Sequence, residues 1–540
     1  MTASEEKNRL FELLVLLILA AGALLRVQTL FGALEYDEIW SLENFSGLPV
    51  LKIFTELALP NNQPLNSLWI KFVAAVGGPV WSIRLHSLIA SLAALPLAGF
   101  VAWVLAGEKK AAFLWGMAFL ALSAPDIAYA ALARGYALQV FFIALYAAGL
   151  AACGSLRPQR KYLFYLPEAA VFIGGAGAVL TLPTSVMYLG AVALAAALIY
   201  RRRPPASLLI VLGAGAVLTL AFCLGNYRQL DAARRWGTPV TGPGEFFSFA
   251  SETLMQLLFP AMLPLLLLFP ILKKRELPLL LVILLPLGTA AVTNAGPVRA
   301  YLPFCAAASV AAGCAAAELP DRLKKKGSRL LACLLFAGLL GAGPIIALPR
   351  WRTPDWRAVY EASAREPHTV LVVHRATSGY PLAWNNRPAV YTDFVKRLLD
   401  RSPVRELLMF DGPGRINGND GNNNEHVMTI PARGRAHSVC GLPCRRYTLK
   451  EVTNVIPGDA VVLALRPVLA PEMSKIFSTL QHSGIAWLKL NPWLNYYIDR
   501  PEGSYRYALL AAKIPENCAF DAGAFAANWN GAVSVYRIEP

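Results

Sequence analysis

The stretch LFELLVLLILAAGALLRVQTLFGALEYDEIWSLENFSG, residues 10–47, places a long apolar run directly before a group of carboxylates. The run at 10–34 is long enough to cross a bilayer as a helix, because a crossing needs about 20 apolar residues. It contains no small-residue cleavage site, so we expect a retained span and not a cleaved signal peptide. Asp37, Glu38 and Glu43 follow within nine residues of its end, which puts three ionisable groups beside a membrane surface.

The composition predicts a polytopic membrane protein. Of the 540 residues 56% are hydrophobic and only 16% are charged, whereas soluble domains carry about 25% charged residues. The net charge of +16 does not indicate a nucleic-acid partner, because much of the Lys and Arg lies in short clusters between apolar runs. There is also no glycine-rich loop of the Walker type, so nothing in the sequence indicates an ATP-driven pump.

The apolar runs predict about eleven spans, whose parity is set by the basic clusters. The spans are expected at 10–34, 81–106, 111–129, 137–153, 163–180, 184–200, 206–224, 254–272, 277–293, 299–317 and 330–348. Five basic clusters each follow an even-numbered span, at 107–110, 157–161, 201–203, 273–275 and 321–326. All five therefore share one side of the membrane with the N-terminus, and the positive-inside rule identifies that side as cytoplasmic.

Two regions lie outside this pattern of spans. Residues 64–78 contain only about thirteen apolar residues before the glycines, which favours an interfacial helix in the first outer loop over a crossing. An odd number of spans puts the C-terminus on the outer side. We therefore expect a membrane domain at 1–349 and an extracytoplasmic domain at 350–540. The short apolar runs TVLVVH and AVVLAL, with helical patterns between them, predict a soluble α/β domain there.

The extracytoplasmic domain contains the sequence CGLPC, in which Cys440 and Cys444 are four residues apart. An oxidising compartment favours a disulfide between these two cysteines. A metal site is the alternative, and it is less favoured because no second pair of Cys or His stands nearby in the sequence.

The predicted topology gathers polar residues on the outer side, where ionisable groups are costly and usually functional. They are Asp37, Glu38, Asn62, Gln63, Arg134, Tyr136, Arg299 and Tyr301. A carboxylate can take a proton from an attacking hydroxyl, and an arginine can hold a phosphate through two hydrogen bonds. Together these groups predict transfer of a group from a lipid phosphate to a hydroxyl, with a polyprenyl carrier in place of a nucleotide donor.

The same residues also have purely structural interpretations. Asp37 and Glu38 could be solvated loop charges. Arg134 could be a snorkelling side chain at a helix end, and Arg299 an isolated outer charge. The catalytic interpretation depends on all of them falling on one side of the membrane.

Two further ionisable residues lie within predicted spans. Arg26, in the first span, is expected to snorkel outward and not to bind a donor. His86, in RLHS, is expected to pack at an interface and not to bind a metal, because no second His lies near it in the sequence.

The spacing of these motifs resembles the GT-C superfamily of membrane glycosyltransferases, in particular the bacterial branch related to protein mannosyltransferases and to the lipid A aminoarabinose transferase. The resemblance covers residues 10–360. YDEIWS resembles the Asp-Glu motif after the first span of the family, and ALARGYAL resembles its Glu-Ala-Arg-x-Tyr-Ala-Leu segment. The other matching segments are NNQPLNSLWIK, SIRLHSLIASLAALPL, VRAYLPFCAAASVAAG and PDWRAVYEA.

The resemblance implies a GT-C-like fold in a bacterial cytoplasmic membrane and an inverting transfer from a polyprenyl-phosphate sugar to a hydroxyl of a glycan, lipid or protein. Asp37 matches the catalytic aspartate, which acts as general base on the acceptor. Glu38 is its neighbour, which orients the acceptor or a metal ion. The candidates for binding the donor phosphate are Arg134, Tyr136, Arg299 and Tyr301.

Asn62, Gln63 and His86 are the candidates for an acceptor or donor pocket, and two of them depart from the family pattern. Gln63 stands where the family usually has His, and His86 replaces a Pro. Leu132 stands where the second segment usually has Glu. The changes at 63 and 132 remove ionisable groups near the expected site, so participation of a divalent metal ion stays an open alternative and no cofactor is assigned.

Two other functions fit part of the pattern. One is a ligase-type transfer of a glycan from a polyprenyl-diphosphate carrier, which needs the same outer arginines. The other is a transporter or flippase of lipid-linked glycans. Transporters usually carry repeated halves and ionisable groups near the membrane midplane. This sequence has no clear half-repeat and its charges cluster toward one face, so we favour an enzyme.

Overall fold

The computed structural model describes the chain over two sets of residues. The helical part covers residues 3–32, 34–58, 62–155, 165–200, 205–234, 240–258, 272–273, 276–294, 296, 298–323, 338 and 341, and the remainder is seven strands between 370 and 537. The chain divides into two compact units. The first comprises residues 1–31 and 45–351, and the second comprises residues 32–44 and 352–540.

The helices are rich in Ala and Leu, which favour the helical conformation. The longer ones are α1 (Ala3–Leu30), α5 (Leu85–Leu105), α8 (Tyr136–Ser155), α9 (Leu166–Thr181), α10 (Ser185–Tyr200), α11 (Ala206–Gly225), α13 (Pro243–Leu258), α14 (Leu281–Thr293) and α15 (Pro303–Arg322). The shorter ones are α2 (Tyr36–Phe45), α3 (Val50–Thr55), α4 (Pro64–Ala75), α6 (Lys110–Ala121), α7 (Ala124–Ala130) and α12 (Tyr227–Arg234). Short 3₁₀ helices at Val80–Arg84, Leu277–Leu280 and Val298–Tyr301 lead into α5, α14 and α15.

The chain is a polytopic helical membrane protein. Among the described residues, five segments are long and apolar enough to cross a bilayer: Glu5–Gln28, Val80–Leu105, Tyr136–Ser155, Ala206–Gly225 and Val298–Leu319. α6 and α7 together make a sixth, and shorter apolar helices lie at Leu166–Thr181, Ser185–Tyr200 and Leu277–Ala290. The spans predicted at 254–272 and 330–348 lie largely outside the described residues, so the count of eleven stays a prediction.

The predicted span at 111–129 is a broken helix. α6 ends at Ala121, α7 begins at Ala124, and their axes differ by 63°. Pro125 is the cause, because it lies in the first turn of α7 and has no N–H. In a continuous helix that N–H would bond to the carbonyl of Ala121, four residues earlier. Apolar composition alone did not reveal this break.

Arg26, a residue of α1, donates hydrogen bonds to the backbone at the break between α6 and α7. Its guanidinium donates to the carbonyl oxygens of Leu120 at 3.2 Å and Ala121 at 3.0 Å, which supplies the bond that Pro125 cannot make. Within a bilayer, backbone polar groups must find such partners inside the protein. Arg26 is fully buried, so the expectation that it snorkels outward was wrong.

The charge of Arg26 is neutralised inside the protein by Asp126. Arg26 Nη2 lies 2.6 Å from Asp126 Oδ2, and both side chains are fully buried. Ser91 on α5 accepts from Arg26 Nε at 2.7 Å and donates to the same carboxylate oxygen at 2.6 Å. These three side chains fasten α1, α5 and α7 to one another, and we call them the Arg26 cluster.

Two of the five basic clusters meet at one end of the first unit, which we call the basic end. Glu318 Oε1 lies 2.9 Å from Lys109 Nζ and 2.8 Å from Lys273 Nζ, and these lysines come from two of the basic clusters. Lys110 donates to Asn8 at 2.5 Å, so the start of α1 lies here too. The convergence agrees with the predicted parity of the spans.

Small residues bring α5, α6 and α15 close together. Gly116 packs on Ala102, and a Cβ added at Gly313 would lie 2.8 Å from the carbonyl oxygen of Ala112. Close backbone approach of this kind stabilises helix association in membranes.

α4 is too short to cross the membrane. It has 12 residues and is about 18 Å long, which is shorter than the hydrocarbon core. Its Phe72 is exposed.

The second unit contains α2 and a seven-stranded sheet. Its strands are β1 (Val370–His374), β2 (Glu406–Asp411), β3 (His437–Val439), β4 (Leu442–Thr448), β5 (Val461–Leu465), β6 (Ala519–Phe520) and β7 (Val533–Arg537), in the order β3-β4-β2-β1-β5-β7-β6. The central strands β4, β2, β1 and β5 are parallel, and the pairs at both edges are antiparallel. The two predicted buried runs are β1 and β5, which lie side by side.

Two predictions for the second unit go beyond the described residues. The helices of the predicted α/β domain fall outside them, so the α/β class stays a prediction. Cys444 lies in β4, but Cys440 is also outside the described residues. The disulfide between them therefore stays a prediction as well.

We predict that Arg26→Met lowers the free energy of unfolding by about 3–5 kcal/mol, because it leaves the Asp126 carboxylate buried and unpaired. Unfolding of the purified protein in mixed micelles measures this. Arg9→Met is the control, since Arg9 is an exposed residue of the same helix. An Arg26→Met loss no larger than that of Arg9→Met would contradict the structural importance of the Arg26 cluster.

Candidate functional site

Two arginines converge on one tyrosine hydroxyl in the first unit. Arg299 Nε donates to the Tyr136 hydroxyl at 3.0 Å, and Arg134 Nη2 donates to it at 3.4 Å. The Arg134 guanidinium also lies over the Tyr136 ring, 5.5 Å from its centre. Arg134 is 2% exposed and Tyr136 3% exposed, while Arg299 is half-buried. Three of the four predicted phosphate-binding residues are therefore brought together, and we call them the arginine site.

Each residue of the arginine site is placed by the end of a helix. Arg134 lies in the turn at 131–135, which joins α7 to α8, and Tyr136 is the first residue of α8. Arg299 lies in the 3₁₀ turn that leads into α15. α15 carries Glu318 at its other end, so the arginine site and the basic end are at opposite ends of this helix.

The fourth candidate, Tyr301, packs with aromatic rings. Its ring centre lies 5.4 Å from that of Phe249 and 5.5 Å from that of Phe304, and it is 3% exposed. Tyr188 donates to the carbonyl of Ala300 at 3.2 Å. These contacts hold Tyr301 among aromatic rings and support the turn that carries Arg299.

Gln63 and Ser87 hold the backbone next to Arg134. Ser87 Oγ donates to the Arg134 carbonyl oxygen at 3.0 Å, and the Gln63 side-chain oxygen accepts the N–H of Gly135. Both side chains are buried. Ser87 also contacts His86 Nε2 at 3.2 Å, and this nitrogen lies 2.8 Å from Asn66 Oδ1.

These bonds form a polar chain from α4 through α5 to the turn at 131–135, and all of its side chains except that of the half-buried His86 are buried. Gln63 Nε2 and Asn66 Nδ2 are buried and have no hydrogen-bond partner among the described residues. Buried donors of this kind ordinarily have a partner in the native state. They are therefore groups that a ligand oxygen or an ordered water can satisfy.

Asn62 has a different position from its neighbour Gln63. Its amide nitrogen donates to the carbonyl oxygens of Ile53 at 2.9 Å and Glu56 at 2.7 Å. Its side-chain oxygen accepts from Ser67 Oγ at 2.9 Å. Asn62 thus connects the end of α3 to the start of α4.

The two carboxylates predicted to be catalytic lie in the first turn of α2, in the second unit. Glu38 is fully buried, and its Oε2 accepts the backbone N–H of Glu35 at 2.9 Å. This is one half of a capping box, in which a side chain reaches back to the start of its own helix. Asp37 is partly exposed, and its carbonyl oxygen accepts from Ser41 at 2.9 Å. The positive end of the helix dipole favours carboxylates at both positions.

An apolar cavity of about 70 Å³ lies between α5, α8, α10, α15 and the segment from Leu279 to Val282. On α15 its lining starts at Pro303, two residues after Tyr301, and continues to Val310. On α8 and α10 it extends to Ala151 and Tyr200, toward the other end of these helices. The residues that line it are almost all apolar.

Sequence reasoning missed the residues that support the arginine site. Ser87 and Asn66 stand within quoted motifs, but nothing in an apolar helix marks which serine meets a backbone carbonyl. Asp126 had one signal, because a carboxylate within a predicted span requires a partner. Within the described residues no three His, Cys, Asp or Glu side chains lie close enough together to hold a metal ion.

Comparison with known proteins gave matches among solved structures alone. No family model and no curated protein matches this chain. An apo structure of ArnT from Cupriavidus metallidurans is similar over 99% of this chain and 98% of its own, with 14% identity and a TM-score of 0.48. ArnT bound to undecaprenyl phosphate is similar over 97% of both chains, with 13% identity and a TM-score of 0.45.

A third structure is an Archaeoglobus fulgidus oligosaccharyltransferase tethered to an acceptor peptide. It is similar over 69% of this chain and 62% of its own, with 13% identity and a TM-score of 0.36.

We predict that Gly135→Ala destabilises the protein by about 1–3 kcal/mol, the usual cost of overpacking. The added Cβ would lie 2.8 Å from Thr181 Cγ2 and 3.1 Å from Gln63 Oε1. Gly190→Ala in α10 is the control, because its Cβ would meet nothing within 4 Å. Thermal unfolding measures both. Adding Thr181→Ser, which removes the crowding methyl group, should restore part of the loss, and equal effects of the two alanines would contradict the packing.

Proposed function

We propose that this protein is a membrane glycosyltransferase that moves a sugar from a polyprenyl-phosphate carrier to a hydroxyl acceptor at the outer face of a bacterial cytoplasmic membrane. The observation that carries the proposal is the convergence of Arg134 and Arg299 on Tyr136. An apolar cavity whose lining includes Pro303, at the start of the helix that follows Arg299, supports it. Two converging guanidiniums repel each other, and a bound phosphate relieves that repulsion. An isoprenoid tail suits the cavity, so one ligand satisfies both features.

In the proposed reaction, Asp37 is the general base. The acceptor oxygen forms a bond to C1 of the sugar while the bond between C1 and the phosphate oxygen breaks, so the anomeric configuration inverts. The proton of the acceptor hydroxyl passes to the Asp37 carboxylate. The electron pair of the broken bond stays on the leaving polyprenyl phosphate, whose charge Arg134 and Arg299 stabilise.

The remaining candidates have supporting roles in this proposal. Glu38 stabilises the start of α2 and so orients Asp37. The buried amide donors of Gln63 and Asn66 are available to oxygens of the donor or acceptor. Asn62 and His86 shape this pocket through Ser67 and Ser87. A divalent ion is not assigned to any of them.

The outer location is proposed from the parity of the basic clusters. Lys109, Lys110, Lys273 and the start of α1 meet at the basic end, which the positive-inside rule makes cytoplasmic. The arginine site is at the other end of α15 from Glu318. It therefore faces the compartment that lacks nucleotide-activated donors.

We predict that Asp37→Asn lowers turnover of a synthetic polyprenyl-phosphate sugar by about 10²–10⁴-fold, the range that a general base contributes. The measurement is product formation by the purified full-length protein, with kcat and KM determined separately. Glu56→Gln is the control, because Glu56 is a partly exposed carboxylate of the first outer loop that pairs only loosely with Lys52. Full activity of Asp37→Asn would remove Asp37 as the base.

The same assay separates the proposal from its closest alternative. Release of polyprenyl monophosphate supports transfer of a single carrier-linked sugar. Release of polyprenyl diphosphate would identify a ligase-type transfer. Movement of a labelled lipid across liposomes without any covalent product would identify a flippase and overturn the proposal.

We predict that Ala147→Phe, on the cavity wall of α8, raises KM about tenfold for a long polyprenyl carrier, because the ring overfills the space for the tail. The KM of a carrier shortened to two isoprene units should change little. Val217→Phe on the exposed face of α11 is the control. If Ala147→Phe left the KM of the long carrier unchanged, the cavity would not hold the tail.

A further inference from the structure

One peptide group, between Arg134 and Gly135, is held at both of its edges. Its carbonyl oxygen accepts from Ser87 Oγ at 3.0 Å, and its N–H donates to the Gln63 side-chain oxygen. Ser87 lies on α5, and Gln63 is the residue before α4. Two separate elements thus fix a single backbone plane.

This plane decides where the Arg134 side chain points. The orientation of a peptide group sets ψ of the residue before it and φ of the residue after it. On either side of this plane, Arg134 N donates to Leu132 O at 2.8 Å and Gly135 O accepts from Gln139 N at 2.8 Å. Without Ser87 and Gln63 the plane between these bonds could rotate, and the guanidinium would swing with it.

The close approach of Gln63 depends on Gly135. A Cβ at 135 would lie 3.1 Å from the Gln63 oxygen and 3.2 Å from its Cβ. The assignment of the Gln63 amide is fixed as well, because an N–H donor must meet the oxygen and not the nitrogen. Ser87 is 0% exposed and Gln63 is 1% exposed, so water does not compete for either bond.

We propose that Gln63 and Ser87 are positioning residues that hold Arg134 in the orientation that binds the phosphate of a lipid carrier. They act as a pair on one peptide group, which we call the peptide clamp. This rests on the proposed function, since it takes Arg134 as a phosphate ligand. It gives Gln63 a role that the sequence did not assign, because its oxygen serves the backbone and leaves its amide nitrogen for the ligand.

Binding of undecaprenyl phosphate to the purified full-length protein tests the clamp. Ser87→Ala and Gln63→Met should each weaken binding about fivefold, the size that one buried hydrogen bond carries. Ser309→Ala is the matched control. Ser309 is a buried serine of α15 that donates to the carbonyl oxygen of Cys305 in its own helix and does not touch the clamped peptide. Equal binding by all of these variants would overturn the proposal.

A double-mutant cycle separates positioning from a general structural effect. In an Arg134→Met background, adding Ser87→Ala should have little further effect on binding, because the side chain that Ser87 orients is already gone. If the fold-changes in binding of the two single variants simply multiplied in the double variant, Ser87 would act independently of Arg134 and the proposal would fail.

Hydrogen exchange of the segment 131–139 tests the peptide clamp independently of the proposed function. Gln63→Met should speed exchange there, since the Gly135 N–H loses its acceptor. Ser87→Ala should also speed it, because the same peptide group loses the donor to its carbonyl oxygen, and Ser309→Ala should not. If the wild-type protein bound no undecaprenyl phosphate, the proposed function would fail while the exchange data still decided whether the clamp exists. Unchanged exchange in all variants would overturn the clamp itself.

Discussion

The arrangement of the first unit depends on a buried guanidinium at a broken helix. Pro125 has no N–H for the carbonyl of Ala121, and inside a bilayer a backbone carbonyl without a partner is costly. Arg26 supplies the missing donor and brings in a charge that must itself be neutralised. Asp126 does this at 2.6 Å from the first turn of the next helix. Replacing Arg26 or Asp126 alone leaves the charge of the other residue buried and unpaired, which strongly destabilises the folded protein.

The break has a consequence for the candidate site. α7 leaves the axis of α6 by 63° and leads within a few residues to the turn that carries Arg134. Arg299 reaches the same tyrosine from the start of α15. The fixed bend at the Arg26 cluster and the fixed peptide at Gly135 therefore lie on either side of α7. Rigid support of this kind is what a phosphate-binding arginine requires, because small displacements weaken directional hydrogen bonds.

Much of this could be predicted from the sequence, and the limits have physical reasons. Apolar length predicted the polytopic class and the positions of most of the long helices, and the parity of the spans predicted that Arg134 and Arg299 would lie on the same side. The bend after Ala121 was missed because hydropathy is averaged over a window. Arg26 was misjudged because its partner lies 100 residues away, and a sequence shows neither that distance nor which arginine caps a helix. Asp37 and Glu38 were predicted in the first outer loop, and the structure has them in the first turn of α2, where the helix dipole favours carboxylates.

The central claim is that the arginine site binds the phosphate of a polyprenyl carrier. A structure of the full-length protein with bound undecaprenyl phosphate tests it most directly. The account predicts phosphate density within hydrogen-bond distance of the Arg134 and Arg299 guanidiniums, with the isoprenoid tail continuing past Pro303 into the cavity lined by α8, α10 and α15. Phosphate bound away from both arginines, with the cavity unfilled by the tail, would contradict it.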